Sequence, residues 1–172
     1  GIIRPLGYYQ NHSYRAKQFS QVFGDYVAYI PEQNVWSVWV GSNWNMKPET
    51  ENTLVKNQLD KLNERLWDLT AGMQNPLREQ WQKWAKQCES NANIIAVISI
   101  ARAFMFKSFK EFNTDDYIFS CKSGLVDLRE GKLLEHDPKY LITQTSDVEL
   151  SEEESCPHFL SFLDDITNGD EN

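Results

Sequence analysis

An α+β fold is predicted for this chain: an N-terminal β-hairpin, three central helices, a small β-meander and a C-terminal helix. Three observations carry the prediction. Residues 26–40 hold two β-rich runs around a four-residue loop, Pro31-Glu32-Gln33-Asn34. Residues 48–106 repeat apolar side chains at helical spacing in three blocks. Residues 115–141 contain three short apolar runs separated by Lys122-Ser123-Gly124 and Arg129-Glu130-Gly131, turn segments in which glycine can take a positive φ.

In chain order, residues 1–13 read as an N-terminal arm and residues 14–170 as one domain. A short helix is expected over residues 13–23, with Ser13 as its cap and Ala16, Phe19, Val22 and Phe23 on its apolar side, stopped by Gly24. The hairpin follows as strands 26–30 and 35–40, and Gly41-Ser42-Asn43 turns the chain into Trp44. Pro48 suits a first helical position, and Val55, Leu59, Leu62, Leu66 and Leu69 then form a stripe that ends at Ala71-Gly72. Asn75-Pro76 opens a second helix with Leu77, Trp81, Trp84, Ala85 and Cys88 on one face and Lys83 and Lys86 on the other. Asn93 is placed to cap a third, in which Ile94, Ile95, Val97, Ile98, Ile100, Ala101, Phe104 and Met105 leave almost no polar face, so it is expected to be central and buried. The meander runs 117–119, 125–128 and 132–134, closed by His136-Asp137-Pro138. Residues 141–150 read as one or two further strands, 151–155 as an acidic loop, and Pro157 as the start of a last helix carrying Phe159, Phe162, Leu163 and Ile166.

Composition narrows the function. The 172 residues, 41% hydrophobic and 13% aromatic, describe an ordered domain with enough length to bury a core. The net charge of −8 argues against nucleic acid as a whole-chain property, but it is unevenly spread. Residues 115–172 hold 15 acids against 4 Lys/Arg, whereas residues 78–110 hold six basic residues against Glu79 and Glu89. Cys88, Cys121 and Cys156 are too few and too far apart for a secreted disulfide framework, which fits a reducing cytoplasm. The longest apolar run, 94–106, is too short to span a membrane and contains Arg102. The start at Gly1 without Met suggests an excised fragment with a cloning residue in front.

Ser123-Gly124-Leu125-Val126-Asp127-Leu128-Arg129-Glu130-Gly131-Lys132-Leu133, then His136-Asp137-Pro138, resembles a family signature. That signature, Asn-Gly-Val-x-Asp-Leu-x-Thr-Gly-x-Leu then His-x-Pro, belongs to the domain just upstream of the superfamily-three helicase module in phage, plasmid and poxvirus primase-helicases. Ser123 stands for the usual Asn and Glu130 for the usual Thr. The run Phe23-Gly24-Asp25, Tyr29-Ile30-Pro31-Glu32, Trp36, Trp39-Val40-Gly41 and Trp44 is similar to the family's opening motif, with Val40 where Asp is usual. Trp84-Ala85 with Ser90, and Cys156-Pro157-His158-Phe159-Leu160, extend the likeness over most of residues 14–170. The resemblance implies a parent protein that unwinds DNA with ATP and Mg, often as a hexamer, with its helicase module after residue 172. It implies for this chain a non-catalytic role, linking primase and helicase modules, supporting ring assembly and touching DNA.

The residues themselves agree on the lack of chemistry. None of the eight glycines forms a phosphate-cradling loop followed by Lys and Ser/Thr. Asp115-Asp116 and Asp164-Asp165 are adjacent, and adjacent carboxylates point apart on regular elements instead of converging on two metals. Cys121, His136, Cys156 and His158 lack zinc spacing. An independent hydrolase would require a pocket that gathers His12, His136 or His158 with a carboxylate. Lys83, Lys86, Arg102, Lys107 and Lys110 are the candidates for contact with DNA phosphates. The alternative is a protein-interaction collar without DNA contact, favoured by the overall acidity.

Overall fold

The structure, a computed structural model, describes residues 4 and 6–150. The acidic loop and the C-terminal helix expected after residue 150 lie outside the described residues. Helix α1 (Leu6–Tyr9) falls within the expected arm, and the rings of Tyr8 and Tyr9 meet Tyr14 at 5.6 and 5.2 Å. Helix α2 (His12–Phe23) starts ahead of Ser13 because Asn11 caps it: its Oδ1 accepts from Tyr14 N at 2.8 Å, and its Nδ2 donates to Tyr8 O. Ala16 and Phe19 are buried, whereas Val22, expected on the same face, stays exposed.

The hairpin forms as expected, β1 (Val27–Ile30) against β2 (Val35–Trp39), and gains a third antiparallel strand, β3 (Trp44–Asn45). This sheet is covered on both sides. Val27, Tyr29, Trp36 and Val38 face the helices, while Ala28, Ile30, Val35, Trp39 and Trp44 pack with Met46, Phe112 and Leu141. Alternation therefore separates two apolar sets instead of an apolar and a polar one.

Pro48 sits in a turn and does not open the first central helix. A π-helical turn (Glu51–Val55) leads into α3 (Lys56–Ala71). Its buried stripe is Leu59, Leu62, Asn63, Leu66 and Thr70, and Leu69 is 64% exposed. From Leu66 the core-facing position is reached by a step of four, and Leu69, one step short, rotates outward. Helix α4 (Leu77–Cys88) follows Pro76 directly, so Asn75 is no cap; its Nδ2 donates to Glu79 Oε1. Helix α5 (Asn91–Ala101) is capped by Ser90 and not by Asn93: Ser90 Oγ accepts from Asn93 N.

Helix α5 also departs from the expected all-round burial. Val97, Ile98 and Ala101 are buried, but Ile95 is exposed, and the helix ends before Phe104. The reason lies in the open edge of β1. Tyr29 N donates to Met105 O at 2.8 Å and Lys107 N donates to Tyr29 O at 2.9 Å, so the chain unwinds to satisfy that edge.

The meander forms as β4 (Ile118–Cys121), β5 (Gly124–Asp127) and β6 (Lys132–Leu134), antiparallel in that order. Gly124 has φ +148°, and a Cβ there would lie 2.3 Å from Leu134 O, so only glycine fits this crossing. The strands expected over 141–150 do not form. That segment makes scattered bonds to both sheets, accepting at Ile142 O from Trp44 N at 2.8 Å, donating from Ser146 N to Ser120 O at 2.9 Å and accepting at Val148 O from Lys122 N at 3.1 Å. Leu141, in the left-handed region at φ 51°, bends it away from a continuous ladder.

Candidate nucleic-acid interface

Lys83 and Lys86 stand one turn apart on the exposed side of α4 because Trp84, Ala85 and Cys88 turn inward against Leu66 and Trp67. The helix is held from behind by a buried polar chain. Arg15 Nη2 donates to Leu62 O and Asn63 Oδ1, both at 2.7 Å, and Asn63 Nδ2 donates to Cys88 O. Burial lowers the pKa of the Arg15 guanidinium, and burial pushes the Cys88 thiol up to about 11. This cluster ties α2, α3 and α4 together and leaves Cys88 a protonated, structural thiol.

The other three candidates lie past α5. Arg102 is committed elsewhere: Nη2 meets Glu51 Oε2 at 3.3 Å, and the guanidinium stacks 4.8 Å from the Tyr29 ring centre. Lys107 N takes part in the β1-edge pairing, and Lys110 sits on a 3₁₀ turn (Phe109–Glu111), so both lie beyond the end of α5 at Ala101. Glu32, at the tip of the β1–β2 loop, fixes that turn by accepting from Ser108 Oγ and Phe109 N, while Glu111 Oε2 accepts from Ser108 N. The Ser108 hydrogen bond, above all, lowers the Glu32 pKa. Lys83 and Lys107 line separate recesses, so the structure does not gather the five cations at one place.

The recess at Lys107, about 610 Å³, is also lined by Asp25, Tyr26, Trp44, His136 and Lys139. It brings His136 into one recess with Asp25 and Asp137, as a hydrolase would require, but His136 and Asp137 are committed otherwise. His136 Nε2 lies 2.8 Å from Cys121 O, Asp137 Oδ1 accepts from Lys139 N, and its Oδ2 pairs with Lys139 Nζ at 3.4 Å. No Ser, Thr or Cys side chain lines this recess. His12 Nε2 meets Asn93 Oδ1 at 2.6 Å. Asp115 accepts from Tyr117 N and pairs with Arg129, a turn-forming role. His158, Cys156 and the Asp164-Asp165 pair lie outside the described residues. Among the described residues, no three His, Cys, Asp or Glu side chains converge on a metal-sized site, and no helix is long and apolar enough to cross a membrane.

Helical periodicity had assigned Phe104 to the core, and nothing in the pattern singled out Phe106 and Phe109; all three are exposed, at 44, 64 and 41%. The signal in the sequence was the interleaving of Phe104, Phe106 and Phe109 with Lys107 and Lys110.

Among the described residues, fold and site define an α+β domain of two small antiparallel sheets and packed helices, with cationic and aromatic surface features. The family described as D5 N terminal like matches residues 16–168, and the chain belongs to it: the N-terminal domain family of phage, plasmid and poxvirus-type primase-helicases. Among curated proteins, none matches.

Proposed function

We propose that this chain is the non-catalytic domain through which a DNA primase-helicase joins its primase and helicase modules, supports assembly of the helicase ring and touches DNA. The family match over residues 16–168 carries this reading. ATP would be hydrolysed, with Mg as cofactor, by the helicase module of the same protein. The DNA contact would come from Lys83, Lys86, Lys107 and Lys110 through phosphate charge, with Arg102 a weaker contributor because Glu51 already neutralises it.

Fluorescence anisotropy with labelled single-stranded, duplex and forked DNA across a salt series tests it. The expected result is binding that weakens steeply with salt and is lost when Lys83, Lys86 and Lys107 become Glu. A folded protein that binds none of these DNAs at low salt leaves the second reading, an interaction collar without DNA contact. That reading is favoured by the separation of Lys83 and Lys107 onto different recesses.

A further inference from the structure

We propose that residues 104–110 form a stacking surface for single-stranded DNA, with bases on Phe104, Phe106 and Phe109 and phosphates on Lys107 and Lys110. The inference rests on the reading that this domain touches DNA, and it names the strand form and the residues that select it. Three phenylalanines within six residues, each more than 40% exposed, are costly to leave in water. They are not on a loose loop. Buried Met105 anchors the strip, and the backbone bonds to Tyr29 on either side of Phe106 lock it against the β1 edge. The 3₁₀ turn that carries Phe109 is held by Ser108, Glu111 and Glu32. Rings presented on a rigid backbone lose little freedom when a base stacks on them.

Charge separates a nucleic acid from a protein as the occupant. A lysine follows Phe106 directly and another follows Phe109, and Lys17 Nζ lies 5.9 Å from the Phe104 ring centre. Interface cores between proteins are depleted of lysine, whereas single-strand grooves alternate aromatic rings with cations. Among the described residues neither Lys107 nor Lys110 makes an ion pair. Of the nearby acids, Glu32 spends both oxygens and Glu111 one on the turn; Lys110 helps to lower the Glu32 pKa but stands outside pairing distance. Beyond Lys107, the recess with exposed Tyr26 continues the track. A duplex hides its base faces and cannot use the three rings.

The test is anisotropy with a labelled oligo-thymidine strand and a mixed-sequence duplex, on the whole chain and on Phe106→Ala, Phe106→Trp and Phe109→Ala, each checked by thermal melting. The expected result is preference for the single strand, a loss of about tenfold for either alanine variant on that strand alone, and retained affinity for Phe106→Trp. Should Phe106→Ala melt early, Phe109→Ala and the Phe106→Trp comparison decide. Unchanged single-strand affinity in the alanine variants overturns the stacking surface while leaving phosphate contact intact. The same result with altered self-association in size-exclusion chromatography assigns the strip to a protein partner. Absence of any DNA binding by the unaltered chain overturns the DNA-contact reading itself.

Discussion

The two sheets have the same topology, three antiparallel strands in sequential order, yet they are stabilised differently. The first, β1–β3, is buried on both faces: Trp36 and Val38 meet the helices, and Ile30 and Trp44 meet the loop segments on the far side. The second, β4–β6, buries three of the four residues of its central strand, Gly124, Leu125 and Val126. The Phe119 and Leu133 partners of Val126 stay 42 and 53% exposed. Burial specifies the first sheet, since its strands satisfy two cores at once. Turn geometry specifies the second, where Gly124 admits the only backbone path past Leu134 O and Gly131, at φ 61°, makes the next corner.

This contrast can be broken from the largest effect to the smallest. Phe19→Ala, at the centre of the helix-facing core, should cost about 3–5 kcal/mol in chemical denaturation, because the surrounding residues cannot collapse into the space. A loss comparable to a surface substitution would show that this core is not what holds the first sheet. Gly124→Ala should cost more than about 1 kcal/mol, and hydrogen exchange should speed up in the meander before the helices respond. Uniform loss of protection across both sheets would mean they unfold as one unit.

The smallest effect concerns the bond that ties the first sheet to the 104–110 strip. The Glu32 carboxylate has a native pKa below its ordinary value, so its contribution is complete above the unfolded carboxylate range and is lost as pH falls through the lowered native value. The amide resonance of Phe109, which donates to Glu32 Oε2, should therefore shift only at acidic pH, below the usual glutamate titration, and Glu32→Gln should abolish that step. A midpoint at the ordinary glutamate value would remove the latch from the account.

Those predictions also mark how the sequence and the fold divided the work. Local chemistry sufficed for the hairpin around Pro31-Glu32-Gln33-Asn34, for the meander turns at Gly124 and Gly131, and for the three central helices, because each depends on backbone preference or on a period read within a few residues. The family signature lay in the same residues. Helix caps were misplaced by a few residues within local sequence, at Asn11 and Ser90, and the larger departures came where a partner distant in sequence decided the outcome. Thr70, a step of four from Leu66, took the buried position expected of Leu69. The 141–150 segment, strand-like in composition, was divided between two sheets and paired fully with neither. Helix α5 stopped at Ala101 because β1, some seventy residues earlier, left an edge needing hydrogen bonds, and that unwinding brought Phe106 to the surface. By itself the sequence determined the family, the α+β class and the turns; the tertiary structure decided which cations stay unpaired and which aromatic rings face water, since both depend on side chains that only folding brings near.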